Sequence, residues 1–292
     1  MKLQDALDAF LLQLDADGRS PHTRRQYERH VRLFAQWLRE VGAGDDVAAI
    51  DHQTVARFFA APTAQRRADG GIRKATSANA LRSSLRTLFA YLHAAGIIAQ
   101  NPTRLLRRAM CGAPLPKTLS PDEQDRLIGT IAAASDAEAK RDAVLVTLLL
   151  GAGLRIGSAL ALDTTDIDLD RKEIRLRGAK GNREHRTPIA AKVVQTLRTH
   201  LNGMTPGPIF RAADGERITT RHAQRRIAQW AKAAGITRAV SPHRLRHSFA
   251  TRLYAKTHDL YVVQRALGHA RIDTTTIYAT MDDARLRVAL EG

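Results

Sequence analysis

Cysteine is almost missing from this chain: its 292 residues include one, Cys111. A lone thiol excludes a disulfide framework and any cysteine-clustered zinc site. Aromatic residues supply only 5% of the sequence, and no apolar run reaches the roughly 18 residues of a membrane span. Met1-Lys2-Leu3-Gln4-Asp5 opens no signal peptide, so a cytoplasmic protein without a membrane partner is expected. Acidic side chains are scarce beside basic ones, 29 against 46, leaving a net charge of +17.

The excess is mostly arginine, with 37 Arg and 9 Lys. A planar guanidinium can grip a phosphate with two hydrogen bonds, so this composition favours a nucleic-acid partner. Residues 1–110 carry a net of +7 and the rest a net of +10. Basic charge in both halves fits a protein that embraces a polyanion from two sides.

The first hundred residues read as helices. Leu3, Ala6, Leu7, Phe10, Leu11 and Leu14 recur at helical spacing. Ser20-Pro21 places an N-cap before a first-turn proline, opening a helix that carries Tyr27, Val31, Phe34 and Leu38. Shorter and longer helices follow at about Thr54–Ala60 and Ser77–Ala95, with the polar segment Gln65–Lys74 as a loop between them. Four helices with short connections predict a small bundle.

Pro102–Lys117, with Gly112, Pro114 and Pro116, reads as a hinge, and Ser120-Pro121-Asp122-Glu123 restarts a helix through a capping box. Domains are expected at 1–107 and 119–292, with a linker over 108–118. Beyond a core helix at Val144–Leu150, alternation around Ile174 and Leu176 predicts a strand whose partner is His185–Ile189. Helices are expected at about Ala191–Leu201, Arg221–Ala234, Pro242–Tyr254 and Leu260–Leu267. The fold class is therefore mainly α, with a small antiparallel sheet in the second domain.

Two tempting motifs fail. Gly151-Ala152-Gly153 invites a dinucleotide fingerprint, but the third glycine would fall at Ile156. Asp166, Asp168 and Asp170 imitate a calcium loop, yet its glycine is Arg171 and its twelfth-position acid is Arg177. No cofactor and no metal is expected.

The spacing H-x-x-R occurs at His22/Arg25, His222/Arg225 and His243/Arg246, and only the last lies in a larger pattern. That pattern is Gly151–Ile156, Gly178–Arg183, Ser241–Thr251, Leu267-Gly268-His269 and Thr274-Thr275-Thr276-Ile277-Tyr278. In this order the motifs resemble the tyrosine recombinase (phage integrase) family, particularly its bacterial Xer-like members. Ser20–Trp37 and Ser77–Leu92 likewise resemble that family's SAM-like core-binding domain, so the resemblance spans nearly the whole chain.

The resemblance implies a site-specific recombinase that cuts and rejoins DNA without metal or ATP. Tyr278 would attack the scissile phosphate to leave a 3′-phosphotyrosine. Arg155 and Arg246 would hold the phosphate oxygens, Lys180 would protonate the departing 5′-oxygen, His243 would assist proton transfer at the nucleophile, and His269 would hydrogen-bond the phosphate. A phenol of pKa near 10 is ionised only to roughly one part in a thousand at neutral pH, so such help is needed. The implied fold is a C-shaped clamp on double-stranded DNA. The implied assembly is a homo- or hetero-tetramer, with a partner recombinase or accessory protein as a further candidate. Two rivals share these features: a sequence-specific DNA-binding protein that does not cleave, and a type IB topoisomerase-like enzyme.

Tyr254 and Tyr261 are expected to be packing residues, and His247 to bond within its helix. Ser158 departs from the family pattern, which commonly has an acid three positions after the first arginine; a serine offers Arg155 only an uncharged acceptor. No separate arm-binding domain is expected before the bundle, and Ala284–Leu290 could form a terminal helix that docks on a neighbour or on its own domain.

Overall fold

The computed structural model describes residues 1–110, 118–177 and 185–268. The chain divides into two compact units, residues 1–113 and 114–292.

The first unit is built on helices α1 (Leu3–Ala16), α2 (Pro21–Glu40), α3 (His52–Ala60), α4 (Pro62–Gln65) and α5 (Ala75–Ala94). Ser20 caps α2 by accepting the Thr23 amide at 3.2 Å, and Asp51 caps α3 through Thr54 at 2.8 Å. The apolar stripes meet in one core where Phe34, Phe58, Phe89 and Leu85 are fully buried. Phe10 packs edge-on against Tyr27, with ring centroids 5.4 Å apart, which assigns Tyr27 to packing. The sequence missed α4, a four-residue turn begun by Pro62 and too short for a periodic signal. The predicted loop after it closes through a bridge between Arg66 and Ile72.

The second unit begins with α6 (Pro121–Ala132), whose Ser120–Glu123 capping box is formed in both directions. Next come α7 (Ala137–Gly151) and the short α8 (Ile156–Leu160), then a three-stranded sheet and α9 (Ala191–Leu201), α10 (Thr220–Ala233), α11 (Pro242–Thr257) and α12 (Leu260–Leu267). The sheet runs β1 (Ile167–Asp168), β2 (Glu173–Leu176), β3 (His185–Pro188), all antiparallel, with Ile174 opposite both Ile167 and Thr187. The two-residue β1 was not foreseen. Helix α7 is buried along most of its length, as expected of a run reading Val144–Leu150.

A polar knot lies within this apolar unit. The Asp142 carboxylate, only 2% exposed, accepts from Arg141 at 2.9 Å, Arg226 at 2.6 Å and the Trp230 indole at 2.8 Å. Arg141 also donates to the Arg211 carbonyl at 3.0 Å, tying α7 to the chain before α10. His222 of the second H-x-x-R pair reaches Arg225 at 3.4 Å and Arg141 at 3.5 Å, placing that pair beside this knot. The aspartates that imitate a calcium loop are otherwise engaged. Asp166 accepts from Arg175 and Arg177, and Asp168 caps the turn at the Arg171 amide. Burial alone would raise the Asp166 pKa, but the Asp163 amide and the Arg177 and Arg175 guanidinium groups outweigh it and hold the pKa below the ordinary value.

Among the described residues no helix is long and apolar enough to cross a membrane, and no three His, Cys, Asp or Glu side chains gather as metal ligands. Cys111 lies outside the described residues.

Candidate active site

The site is assembled around one side chain, Arg246. It stands in the second turn of α11, which Pro242 begins and Ser241 caps at the Arg244 amide. Arg246 is only 6% exposed. Its guanidinium donates through Nη1 to the Gly153 carbonyl at 2.5 Å and through Nη2 to the Leu267 carbonyl at 2.7 Å. Gly153 lies two residues before Arg155, and Leu267 lies two residues before His269. A planar fork with five donors can bridge two such carbonyls, which a single ammonium could not do with the same geometry. Three motifs, two of them 93 residues apart and the third 21 residues farther along, thus converge on one cation.

The turn carrying Arg155 is shaped by glycine. Gly153 has φ of +62°, and a β-carbon there would lie 2.3 Å from the Phe249 ring of α11. Only glycine fits both the left-handed backbone and the aromatic contact. The chain then enters α8, with Arg155 in extended conformation at its N-cap. Its side chain is exposed, and no hydrogen bond or ion pair holds it among the described residues. Ser158, one turn on, offers no bond to it.

His243 stands three residues before Arg246 on α11 and is exposed. Its ring stacks on that of His247, with centroids 5.8 Å apart. Burial, then the charges of His243 and Arg246, pushes the His247 pKa below the ordinary imidazole value. Lys180, His269 and Tyr278 lie outside the described residues, as does Ala284–Leu290. Of the six residues named from sequence, the structure describes Arg155, His243 and Arg246: His243 and Arg246 share α11, and Arg155 follows the Gly153 turn whose carbonyl Arg246 bonds.

Sequence reasoning missed the supports of α11. Ser248 accepts the Leu119 amide at 2.8 Å and donates to the Arg244 carbonyl at 3.0 Å. Arg252 reaches Gln124 and the Leu150 carbonyl, the latter just before the glycine turn. Partial burial lowers its pKa, opposed by the charge of Asp125, yet a guanidinium stays ionised. Leu119, Gln124 and Leu150 lie 102 to 129 residues from the α11 side chains they meet, so no local spacing advertises them. Tyr254 does pack beside the Ala250–Val263–Leu267 cluster, but Tyr261 is 61% exposed and is not a packing residue. Its position at the start of α12 turns it outward.

Comparison with known proteins gives the family. Residues 117–285 match the phage integrase family, and residues 7–96 match the phage integrase N-terminal SAM-like domain. The chain is 34% identical to tyrosine recombinase XerC of Serratia marcescens over 96% of its length and 91% of that relative. It is 33% identical to tyrosine recombinase XerD of Ralstonia nicotianae, covering 98% and 91% of the two chains. Among solved structures it resembles the XerH site-specific recombinase bound to its difH substrate before cleavage, with 25% identity, a TM-score of 0.73, and coverage of 97% and 83%. The chain belongs to the phage integrase family and is a tyrosine-type site-specific recombinase.

Proposed function

We propose that this recombinase breaks and rejoins duplex DNA through six residues: Arg155, Lys180, His243, Arg246, His269 and Tyr278. The observation that carries the reading is the convergence of the Gly151–Ile156 turn, the Ser241–Thr251 helix and the Leu267-Gly268 turn on the Arg246 guanidinium. The Tyr278 oxygen attacks the scissile phosphorus while the bond to the 5′-oxygen breaks. His243 takes the phenolic proton and Lys180 supplies one to the departing oxygen. Arg155 and Arg246 hold the non-bridging oxygens as negative charge builds, and His269 adds a hydrogen bond. A 5′-hydroxyl of another strand then reverses the step, so the ester bond is exchanged rather than hydrolysed and no ATP enters.

The exposed setting of Arg155 suits a group that meets a phosphate only when substrate arrives. The buried setting of Arg246 suits one oriented in advance. We assign core binding to residues 1–107, a linker to 108–118 and catalysis to 119–292. Both units act on short specific sites in double-stranded DNA, and four protomers of one or two kinds act together, with an accessory protein where direction must be set. Such an enzyme works in the cytoplasm, where the nucleoid is.

The test is covalent trapping. Native protein and Tyr278→Phe are mixed with nicked fragments of native flanking DNA, denatured in SDS, and the attached ends sequenced. The expected result is an adduct at Tyr278 and one short site, absent from the variant. Adducts at many unrelated sites would replace this reading with a topoisomerase. Tight salt-sensitive binding without any adduct would replace it with a non-cleaving clamp.

A further inference from the structure

Arg155 makes no side-chain bond among the described residues, so its direction is inherited from the backbone that leads to it. That backbone is the end of α7 and the glycine turn. A helix end leaves its last carbonyls without amide partners, and α7 has no basic residue in its own last turn. The Leu148 carbonyl accepts the Ala152 amide at 3.0 Å. The Leu150 carbonyl is met from another helix, by Nη2 of Arg252 on α11. A guanidinium at that place satisfies the carbonyl and opposes the negative end of the helix dipole.

Helix α11 meets the turn three times, at steps of three residues. Arg246 holds the Gly153 carbonyl, the Phe249 ring fills the space of a Gly153 β-carbon, and Arg252 holds Leu150. From another side Val193 of α9 closes on Gly151, where a β-carbon would lie 2.6 Å from its methyl group. Arg246 and Phe249 thus serve the far end of the turn, and Arg252 serves the near end.

Arg252 is itself aimed. Its Nη1 donates to Oε1 of Gln124 at 2.5 Å, and Nε2 of that amide donates to the Leu119 carbonyl at 3.0 Å. One bond needs the oxygen and the other the nitrogen, so together they fix which way the amide faces. Gln124 is buried. The Leu119 amide in turn donates to Ser248 at 2.8 Å. The path from Ser248 through Leu119 and Gln124 to Arg252 therefore starts and ends on α11, about one helical turn apart. Arg252 is exposed along part of its length, so shortening it opens no cavity in the core.

We infer that Arg252, oriented by Gln124, is a positioning residue: by holding the Leu150 carbonyl it sets the turn from which Arg155 reaches the scissile phosphate. The inference rests on the assignment of Arg155 to that phosphate.

The test uses the full chain and the nicked fragment recovered by covalent trapping. Adduct formation is timed in single turnover across DNA concentration, at a temperature where tryptophan fluorescence shows each variant folded. Arg252→Ala should slow the reaction at saturating DNA by about tenfold, the effect of a misplaced catalytic group. The half-saturating DNA concentration should stay within about twofold, since the loss falls on the transition state. Arg252→Lys keeps one donor for the Leu150 carbonyl and should recover part of the rate. Gln124→Leu, which leaves the guanidinium but not its guide, should show a smaller loss of the same kind. Without DNA, amide exchange at Leu154 and Arg155 should quicken in Arg252→Ala. In an Arg155→Ala background, adding Arg252→Ala should change the remaining rate by less than about twofold.

An unchanged rate at saturating DNA, with or without weaker binding, would overturn the inference. So would an equal loss in the Arg155→Ala background, which would show a route other than Arg155. If Arg155→Ala forms no adduct, exchange decides, and native exchange at Leu154 and Arg155 in Arg252→Ala would overturn it. A native rate in Arg155→Ala alone would instead strike the assignment of Arg155, so the two failures are told apart.

Discussion

Arg246 should prove a structural tie before any substrate is present, and its removal tests this directly. Two hydrogen bonds from a guanidinium to buried carbonyls contribute about 1.5–3 kcal/mol each. Arg246→Ala loses both and leaves the Gly153 and Leu267 carbonyls without that donor, a cost of about 4 kcal/mol. Arg246→Lys keeps the charge but reaches one carbonyl, at a cost of about 2 kcal/mol. With a urea dependence of about 2 kcal/mol per molar, the midpoints fall by about 2 M and 1 M. The chain has two tryptophans, Trp37 in the first unit and Trp230 in the second. In a Trp37→Phe background, Trp230 fluorescence therefore reports the catalytic unit alone. Amide exchange at Leu154 and Arg155 should quicken as the glycine turn loosens. A native urea midpoint in Arg246→Ala would refute the tie and leave Arg246 with only a phosphate to hold.

Other consequences can be measured on the same protein without DNA. Asp142→Asn leaves Arg141 and Arg226 without their shared carboxylate in the core and should cost about 3–5 kcal/mol in urea unfolding; a loss below about 1 kcal/mol would count against the polar knot. Gly153→Ala should destabilise the catalytic unit by about 2 kcal/mol or more through positive φ and the Phe249 contact, and adding Phe249→Ala should recover part of that loss in a double-mutant cycle. His30, lowered to about 4 in the folded state, binds a proton more readily unfolded. Stability of the N-terminal unit should therefore fall as pH drops from about 6.5 toward 4, by about 2–3 kcal/mol at most. His30→Asn should flatten that profile when Trp37 fluorescence is followed against pH.

Local chemistry made much of this fold legible. Ser20-Pro21 and the Ser120–Glu123 box announced α2 and α6, because capping needs partners only three residues away. The bounds of α9 and α12 followed from apolar spacing. What escaped were features without a period or decided across the chain. The turn Pro62–Gln65 and the pair Ile167–Asp168 are too short to repeat. Asp142 stands just before the apolar run of its helix, which draws attention from its carboxylate, and its partner Trp230 is 88 residues distant. Tyr261 looked like an apolar anchor because composition says nothing of which way a short helix faces. At the site, the motifs were visible as words; the Arg246 bonds that join two of them to the third were not, since one spans 93 residues.

The contrast between the two arginines follows from where their backbones are held. Arg246 is fixed by an interior helix and by carbonyls on both sides, so its orientation needs no phosphate. Arg155 follows a glycine turn, stands at the N-cap position of a five-residue helix without a cap bond, and has only Ser158 where an acid would orient it. Preorganisation is therefore unequal, and substitutions should reveal it. Ser158→Asp would give Arg155 a charged partner within one helical turn, lowering the ordering cost when a phosphate binds but offering the guanidinium a competing anion. If ordering limits the reaction, trapping of the phosphotyrosine adduct should quicken at saturating DNA. If competition dominates, adduct formation should slow while urea stability rises. In either case the response should vanish when Arg155→Ala is added, because the new carboxylate acts through that side chain alone; a response that persists would show that Ser158 acts on the site by another route.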